Sequence, residues 1–454
     1  MTLLIEICLI FLLISTPLML GTVQPWSIFI MRITVVIALL AWLLKLSTHQ
    51  RIPASTHSRF PASTHSRFHA STHSRFHAST HSRFHASTHP RFHASTHHHI
   101  NVELRTIDLA ILAFLGVAAF STFVVSPYKH QSLDWFTNLT TYTALYFILV
   151  NNIKTESQIK RLIRAMLTAG TIAGIYGILR YFNILDILPH SQDPRISSTY
   201  YHASHYAGFL VMVTPLVISY FLFSKSLWKT LAFGALSALL IANLALSFSI
   251  TNLAFVISMI FLIIIIFSLR EWQVIVKRLV PAMAIFFLFY LLTLVITSPL
   301  LSQYTISIRF GQMANTLNSA INGRIQVWRD GLPVALSHFY SGWGLSLFSD
   351  VFSKFRPPHW KVFLNYAHSD YLQIASDMGI IGLGVYLVLI GTVLKQSIVL
   401  LKQRYNQGIA VGITVALFAA IIRSLWDSNL FIVQSLSIYF FTLIGLMIVM
   451  RKNV

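Results

Sequence analysis

His368 lies in the run NYAHSDYLQIASDMG, directly before a long apolar segment. An imidazole at a membrane edge can take a proton from a hydroxyl at neutral pH. An interfacial histidine bonded to a loop carbonyl would leave the same pattern, so spacing alone keeps both readings open. Arg324 follows Gly323 and stands four residues before Trp328, which puts both on one face if the segment is helical. Arg195 opens the run RISSTYYHASHYAGF, which also holds Tyr200 and His205. A guanidinium offers two parallel donors to phosphate oxygens and keeps its charge. Arg309 and Arg356 share the long polar stretch with Arg324. Any one of these arginines could instead snorkel to a lipid headgroup. Taken together they fit an anionic ligand on one side of the molecule.

Asp370 and Asp377 could act as paired carboxylates or metal ligands. On a shared helix, however, His368 and Asp377 would stand about 13 Å apart. That is too far for one metal, so Asp377 is expected to hold structure through hydrogen bonds. His202 and His205 are spaced for zinc but lack a nearby third ligand, so no metal site is expected. The phosphate-cradling and hydrolase signatures GxxxxGK[ST], HExxH and GxSxG are absent, as is a nucleotide-binding GxGxxG unit. An ATP-driven or serine-hydrolase reading therefore has no support, and no cofactor is expected.

Elements that could carry such a site at a membrane edge are written in the composition. The 454 residues are 55% hydrophobic and 10% charged, against roughly 25% charged in a soluble chain. Many apolar runs reach about 20 residues, enough to cross a hydrocarbon core as helices. The sequence predicts an all-α polytopic membrane protein with about twelve spans, near 3–20, 27–46, 107–126, 133–151, 160–182, 206–224, 228–246, 250–268, 279–298, 371–394, 408–425 and 429–450. The first run lacks a basic flank and a small-residue cleavage site and reads as a retained helix. Its Cys8 is the sole cysteine, so no intrachain disulfide can form.

A formal charge of +20 could suggest nucleic acid. The basic residues, though, gather in short connections beside apolar runs, where they set topology against membrane lipid. With a cytoplasmic N-terminus, the basic connections after spans two, four, six, eight and ten and the basic C-terminus all fall on one side. The loops 183–205 and 299–370 then share the outer face, with the residues singled out above. Residues 1–50 hold the first two helices, 101–298 helices three to nine, 299–370 the long outer loop and 371–454 helices ten to twelve. Between them, 51–100 contains an octapeptide repeat of the type FHASTHSR with no acidic residue. It buries too little apolar surface to offset its ordering entropy and reads as a passive cytoplasmic insert, with metal binding by its histidines as the other reading.

The order GR…W…GWG…F…AHSDYL…DMGIIG, on a long outer loop before a late span, resembles the O-antigen ligase and O-antigen polymerase superfamily. Upstream, RISSTY…HYAGFL resembles that family's second outer loop, which often reads R-x-S-G-T-F…N-x-x-A. The resemblance covers most of the chain outside the repeat and is sharpest over 195–210 and 323–382. It implies a C-type glycosyltransferase-like fold in the bacterial inner membrane, with its site facing the outside. It also implies transfer of a glycan from undecaprenyl pyrophosphate to a glycolipid or glycan acceptor, without metal or nucleotide sugar. Carried over, Arg195 and Arg324 would contact the pyrophosphate and His368 would act on the acceptor hydroxyl. Arg309, Trp328, His205, Tyr200 and Arg356 would line the substrate site.

The chain also departs from the pattern. Ser369 replaces the family's usual asparagine, Asp377 its glutamate and His205 its asparagine, and the segment Ser247 to Asn252 lacks the usual arginine. Ligase and polymerase share core chemistry and differ in acceptor, so sequence does not separate them. A lipid-linked glycan transporter is the rival from another class. It would need ionisable groups near the membrane centre, and the spans are nearly free of Asp and Glu.

Overall fold

The computed structural model describes residues 1–50, 105–188, 195–269, 272–273, 276–277, 306–358, 360, 364–403, 406–428 and 433–452. The repeat at 51–100 and the expected span at 279–298 lie outside the described residues. No strand occurs among the described residues, whose regular elements are helices. In chain order they are α1 (Thr2–Leu18), α2 (Pro25–Gln50), α3 (Thr106–Phe120), α4 (Lys129–Asn152), α5 (Glu156–Tyr181), α6 (Ala203–Phe223) and α7 (Leu227–Leu246). After these come α8 (Thr251–Ser268), α9 (Ile306–Ser337), α10 (Phe348–Phe355), α11 (Asp370–Leu401), α12 (Gln407–Arg423) and α13 (Gln434–Lys452). A lipid core leaves backbone groups no water to bond, so helices, which pair them internally, are the available solution.

Eight helices are long and apolar enough to cross a membrane: α2, α3 with its following π-turn, α5 to α8, α11 and α13. The chain is a polytopic membrane protein. Three further expected spans correspond to α1 and α12, which have 17 residues each, and to the more polar α4. Their shortness or polarity is tolerated because they pack inside the bundle rather than standing alone in lipid. The bundle closes around α13, whose residues from Gln434 to Met450 are all buried. Its neighbours include α1, α4, α6, α11 and α12. Apolar burial supplies little drive between helices in lipid, so buried polar bonds matter. Tyr439 donates to the Leu13 carbonyl at 2.6 Å and Tyr146 to Asp108 at 2.6 Å. Arg161 and Gln158 of α5 both bond the Glu6 carboxylate of α1.

The stretch 299–370, expected as a long loop, instead contains a 32-residue helix, α9, and the short α10. Apolar spacing explains this. Val327, Val334 and Ala335 fall on one side of α9 and are buried, and Val334 joins Phe348, Val351 and Phe352 of α10 in one apolar cluster. Trp360 ties the following turn back to α9 by donating to Asp330 at 2.7 Å.

The Gly-Trp-Gly turn after α9 fixes the start of α11. At Gly379 the helix kinks, with φ 67° and ψ −169°, and a Cβ there would lie 2.2 Å from the Tyr340 oxygen. Into this kink the turn docks by backbone. Trp343 N–H donates to the Ser376 carbonyl at 2.9 Å, Gly344 N–H to Asp377 at 3.0 Å, and Ile380 N–H to Phe339 at 2.7 Å. The Asp377 side chain accepts from the N–H groups of Ser346 at 2.8 Å and Phe348 at 3.2 Å, and from Gln373 at 3.0 Å. Asp377 thus has the hydrogen-bonding role its distance from His368 suggested.

Candidate active site

His368 is the last loop residue but one before α11. Ser369 caps that helix, its hydroxyl accepting from Leu372 N–H at 3.4 Å. Three bonds clamp the backbone here from two sides. Trp328 of α9 donates its indole N–H to the His368 carbonyl at 3.1 Å. Ser369 N–H donates to the Ser428 hydroxyl at 2.7 Å, and Asp370 N–H to the Ser424 carbonyl at 2.9 Å. The clamp holds His368 at φ 49°, in the left-handed region that a non-glycine residue rarely occupies. Backbone strain of this kind gathers at functional sites, where the surroundings over-determine it.

Facing the imidazole is a carboxylate the sequence reading passed over. Asp427, in the turn between α12 and α13, lies with Oδ1 4.0 Å from His368 Nδ1. That spacing is ionic and slightly long for a direct hydrogen bond. Asp427 is 3% exposed and pairs with Arg423, one helical turn earlier, at 2.9 Å. The same Arg423 group donates to the Ser204 carbonyl of α6 at 3.2 Å, and its Nε to the Thr251 hydroxyl of α8 at 3.3 Å. Arg423 therefore ties together three helices beneath His368.

This arrangement requires a glycine in α6. A Cβ on Gly208 would sit 2.5 Å from the Arg423 guanidinium carbon. Gly208→Ala is expected to push Arg423 off Asp427 and destabilise the fold by about 1–3 kcal/mol, the usual cost of overpacking. Thermal unfolding of the detergent-solubilised variant beside wild type checks this; an unchanged midpoint would refute it.

Arg324 approaches from α9. Its Nε donates to the Trp426 carbonyl at 2.8 Å and its Nη1 to Ala320 at 3.1 Å, while Nη2 makes no bond among the described residues. Burial pulls the Arg324 guanidinium below its ordinary value, Asp427 opposes this, and the positive charges of Arg423 and Arg195 add to it. At Asp427 the balance runs the other way. Burial pushes its carboxyl up, but Arg423, His368 and Arg324 outweigh this and hold it well below the usual carboxylate range. Arg324 and Arg423 thus both act on one ionised carboxylate, and the charge of Arg195 reaches Arg324. That excess of fixed positive charge suits an anion.

The other residues expected at the site divide. Arg195 is half-buried where the loop meets the end of α7, with Ile196 N–H on the Leu246 carbonyl at 3.3 Å. His205, in the first turn of α6, is half-buried, its ring 5.1 Å from that of His202. Trp328 is placed to hold the His368 backbone. Tyr200 is fully buried, packed near Phe209 and Tyr206, with its hydroxyl 3.2 Å from that of Ser435. The aromatic ring of Tyr200 fills space over Gly21 in the core. Arg356 is exposed just past α10. The Arg309 side chain lies outside what is described.

Arg423 and Asp427 could have been found. They stand four apart at the end of an apolar run. Ionisable residues beside or within a span are rare and functional more often than not. Basic-residue counting also puts the turn holding Asp427 on the same side as His368.

Fold and site define a class: a polytopic helical membrane protein with a histidine, a buried guanidinium and further half-buried ones at one end of its bundle. Residues 235–387 match the family model described as O-antigen ligase, which supports placing the chain in the O-antigen ligase superfamily and a glycan ligase or polymerase type of function. The matched stretch contains Arg309, Arg324, Trp328, Arg356 and His368; Arg195, Tyr200, His205, Arg423 and Asp427 lie outside it. No curated protein matches the chain.

Proposed function

We propose that this protein transfers an oligo- or polysaccharide from a polyprenyl-pyrophosphate carrier to a glycolipid or glycan acceptor at the outer face of the bacterial inner membrane. The observation that carries this reading is the convergence of Arg423 and Arg324 on Asp427, which lies 4.0 Å from His368, with the charge of Arg195 reaching Arg324. In the reaction, the acceptor hydroxyl attacks the anomeric carbon as its proton passes to His368. The bond from that carbon to the pyrophosphate oxygen breaks, and its electron pair leaves with the carrier pyrophosphate. Configuration inverts. Arg324 and Arg195 stabilise the departing charge, which fixed cations can do in place of a metal ion. Asp427 stabilises the imidazolium that forms.

Joining one carrier-linked unit to another would use the same groups, which makes polymerase the alternative. Purified protein in detergent, given carrier-linked glycan and glycolipid acceptor, is expected to form the glycosylated acceptor both with and without chelator. Lengthened carrier-linked glycan with no glycolipid product would identify a polymerase. Absence of both products would overturn the enzymatic reading, and loss of product only with chelator would overturn the metal-free mechanism.

A further inference from the structure

One side of α9 is apolar yet uncovered by any described element. Ile325, Leu332, Leu336 and Phe339 are 53%, 49%, 55% and 43% exposed. Spacing of seven and four places Ile325, Leu332 and Leu336 along one face, with the exposed Arg329 among them, and Phe339 follows in the turn just past the helix. The buried face opposite holds Val327, Asp330 and Val334. Toward its N-terminal end the same exposed face turns polar, with Asn318 and Asn322.

The stripe runs directly into surface that must meet lipid. Its end is strapped to α11 through the Ile380 N–H bond to the Phe339 carbonyl at 2.7 Å. From that point α11, a membrane-crossing helix, exposes Ile380, Ile381, Leu387 and Val388. Neighbouring α3, another crossing helix, exposes Phe120, Phe123 and Val124. A groove of about 330 Å³ joins α3 and α11 to the turn that follows α9, lined among others by Gly116, Phe120, Ser121, Tyr340, Met378 and Ile381. Exposed apolar surface therefore runs from α3 and α11 to the turn at Phe339 and Tyr340, which adjoins Leu336 at the end of α9. A soluble loop helix would not carry such a patch, whereas a helix lying in a membrane interface needs one.

We infer that the C-terminal half of α9 lies in the bilayer leaflet beside the site, covered by membrane phospholipid. Leu332, Leu336 and Phe339 reach the acyl region, Arg329 stands at phosphate level, and one acyl chain enters the groove beside Tyr340. The polar Asn318–Asn322 end rises out of the leaflet. Arg324 and Trp328, on the flank of the same helix, then border the plane in which lipid-linked molecules diffuse. The proposed transferase activity is not needed for this placement, and the test below does not read transfer.

In a Cys8→Ala background, single cysteines at Leu332, Leu336 and Ser353 would be labelled with an environment-sensitive fluorophore. Ser353 is exposed on α10 and serves as the water-facing control. The full chain is placed in phosphatidylcholine–phosphatidylglycerol vesicles, with doxyl-labelled phospholipid or aqueous iodide as quencher. Labels at 332 and 336 are expected to be quenched by doxyl groups near the headgroup, more than by groups deep in the chain, and protected from iodide. The label at 353 should respond to iodide alone. Iodide quenching at 332 and 336 equal to that at 353 would overturn the placement. So would protection from both quenchers, which would mean that a protein covers the stripe. Fluorescence-detected size exclusion verifies that each labelled chain is folded, and the 332 and 336 labels test the inference independently.

Discussion

Replacing His368 is expected to reduce glycan transfer by about 10²–10⁴-fold, the usual contribution of a positioned general base, while the protein inserts at its normal level. The side chain is 37% exposed, and its close neighbour is Asp427 at 4.0 Å. The packing role of the residue is carried by its backbone, through the Trp328 bond to its carbonyl. Alanine alone would be an ambiguous substitution, because φ at this position is 49°. A residue with a Cβ loses about 1–2 kcal/mol there, whereas asparagine tolerates the region. His368→Asn is therefore the informative variant. It preserves the backbone and a polar side chain but cannot take up the proton. Initial rates with carrier-linked donor and acceptor, normalised to folded protein, measure the effect. Near-wild-type transfer by His368→Asn would remove the base assignment.

Much of the fold could be read from the chain because lipid makes hydropathy decisive. Most described crossing helices start and stop within a few residues of the apolar runs, as for Leu227–Leu246 against an expected 228–246, whereas α11 runs to Leu401 against an expected end at 394. Gln158 and Thr155 mark the start of α5 in sequence by the capping box they form in the structure. The 299–370 stretch was harder. Its helix, α9, is built on amphipathic spacing within a polar composition, so a scale that averages hydropathy passes over it. The Gly-Trp-Gly turn was visible as a motif, but not its docking site, since backbone bonds between residues 33 to 41 apart leave no local pattern.

At the site, residue types were legible and partners were not. His368 and Arg324 stood out because charges are scarce in this chain. Their neighbour Asp427 comes from a turn almost 60 residues later, and only tertiary structure brings the two together. The surroundings of Tyr200 were equally hidden in the sequence, since the loop folds inward and seats the ring against Gly21. The missing arginine of the Ser247–Asn252 segment also acquires a physical context. Thr251 in that segment accepts a hydrogen bond from Arg423, so a guanidinium supplied by α12 occupies the space beside it.

The Arg423–Asp427 pair should be needed for both folding and transfer, and the two needs can be separated. Both residues are 3% exposed, so removing either leaves a buried charge unpaired. Breaking a buried pair in this way costs roughly 3–5 kcal/mol. Asp427→Leu and Arg423→Met are each expected to lower the amount of folded protein in the membrane. Replacing both at once, as Arg423→Met with Asp427→Leu, removes the unpaired charges and is expected to restore much of that level, since apolar substitutes for buried pairs are often neutral. Transfer should not return with it. Asp427 faces the imidazole at 4.0 Å, a distance at which opposite charges attract by about 4 kcal/mol at an effective dielectric of 20. As 1.4 kcal/mol corresponds to tenfold in rate, losing part of that attraction at the imidazolium-forming step should cost on the order of 10²-fold. The measurement is transfer per folded molecule across the four chains of the cycle. If the double variant recovers both protein level and rate, Asp427 serves the fold alone and His368 works without it.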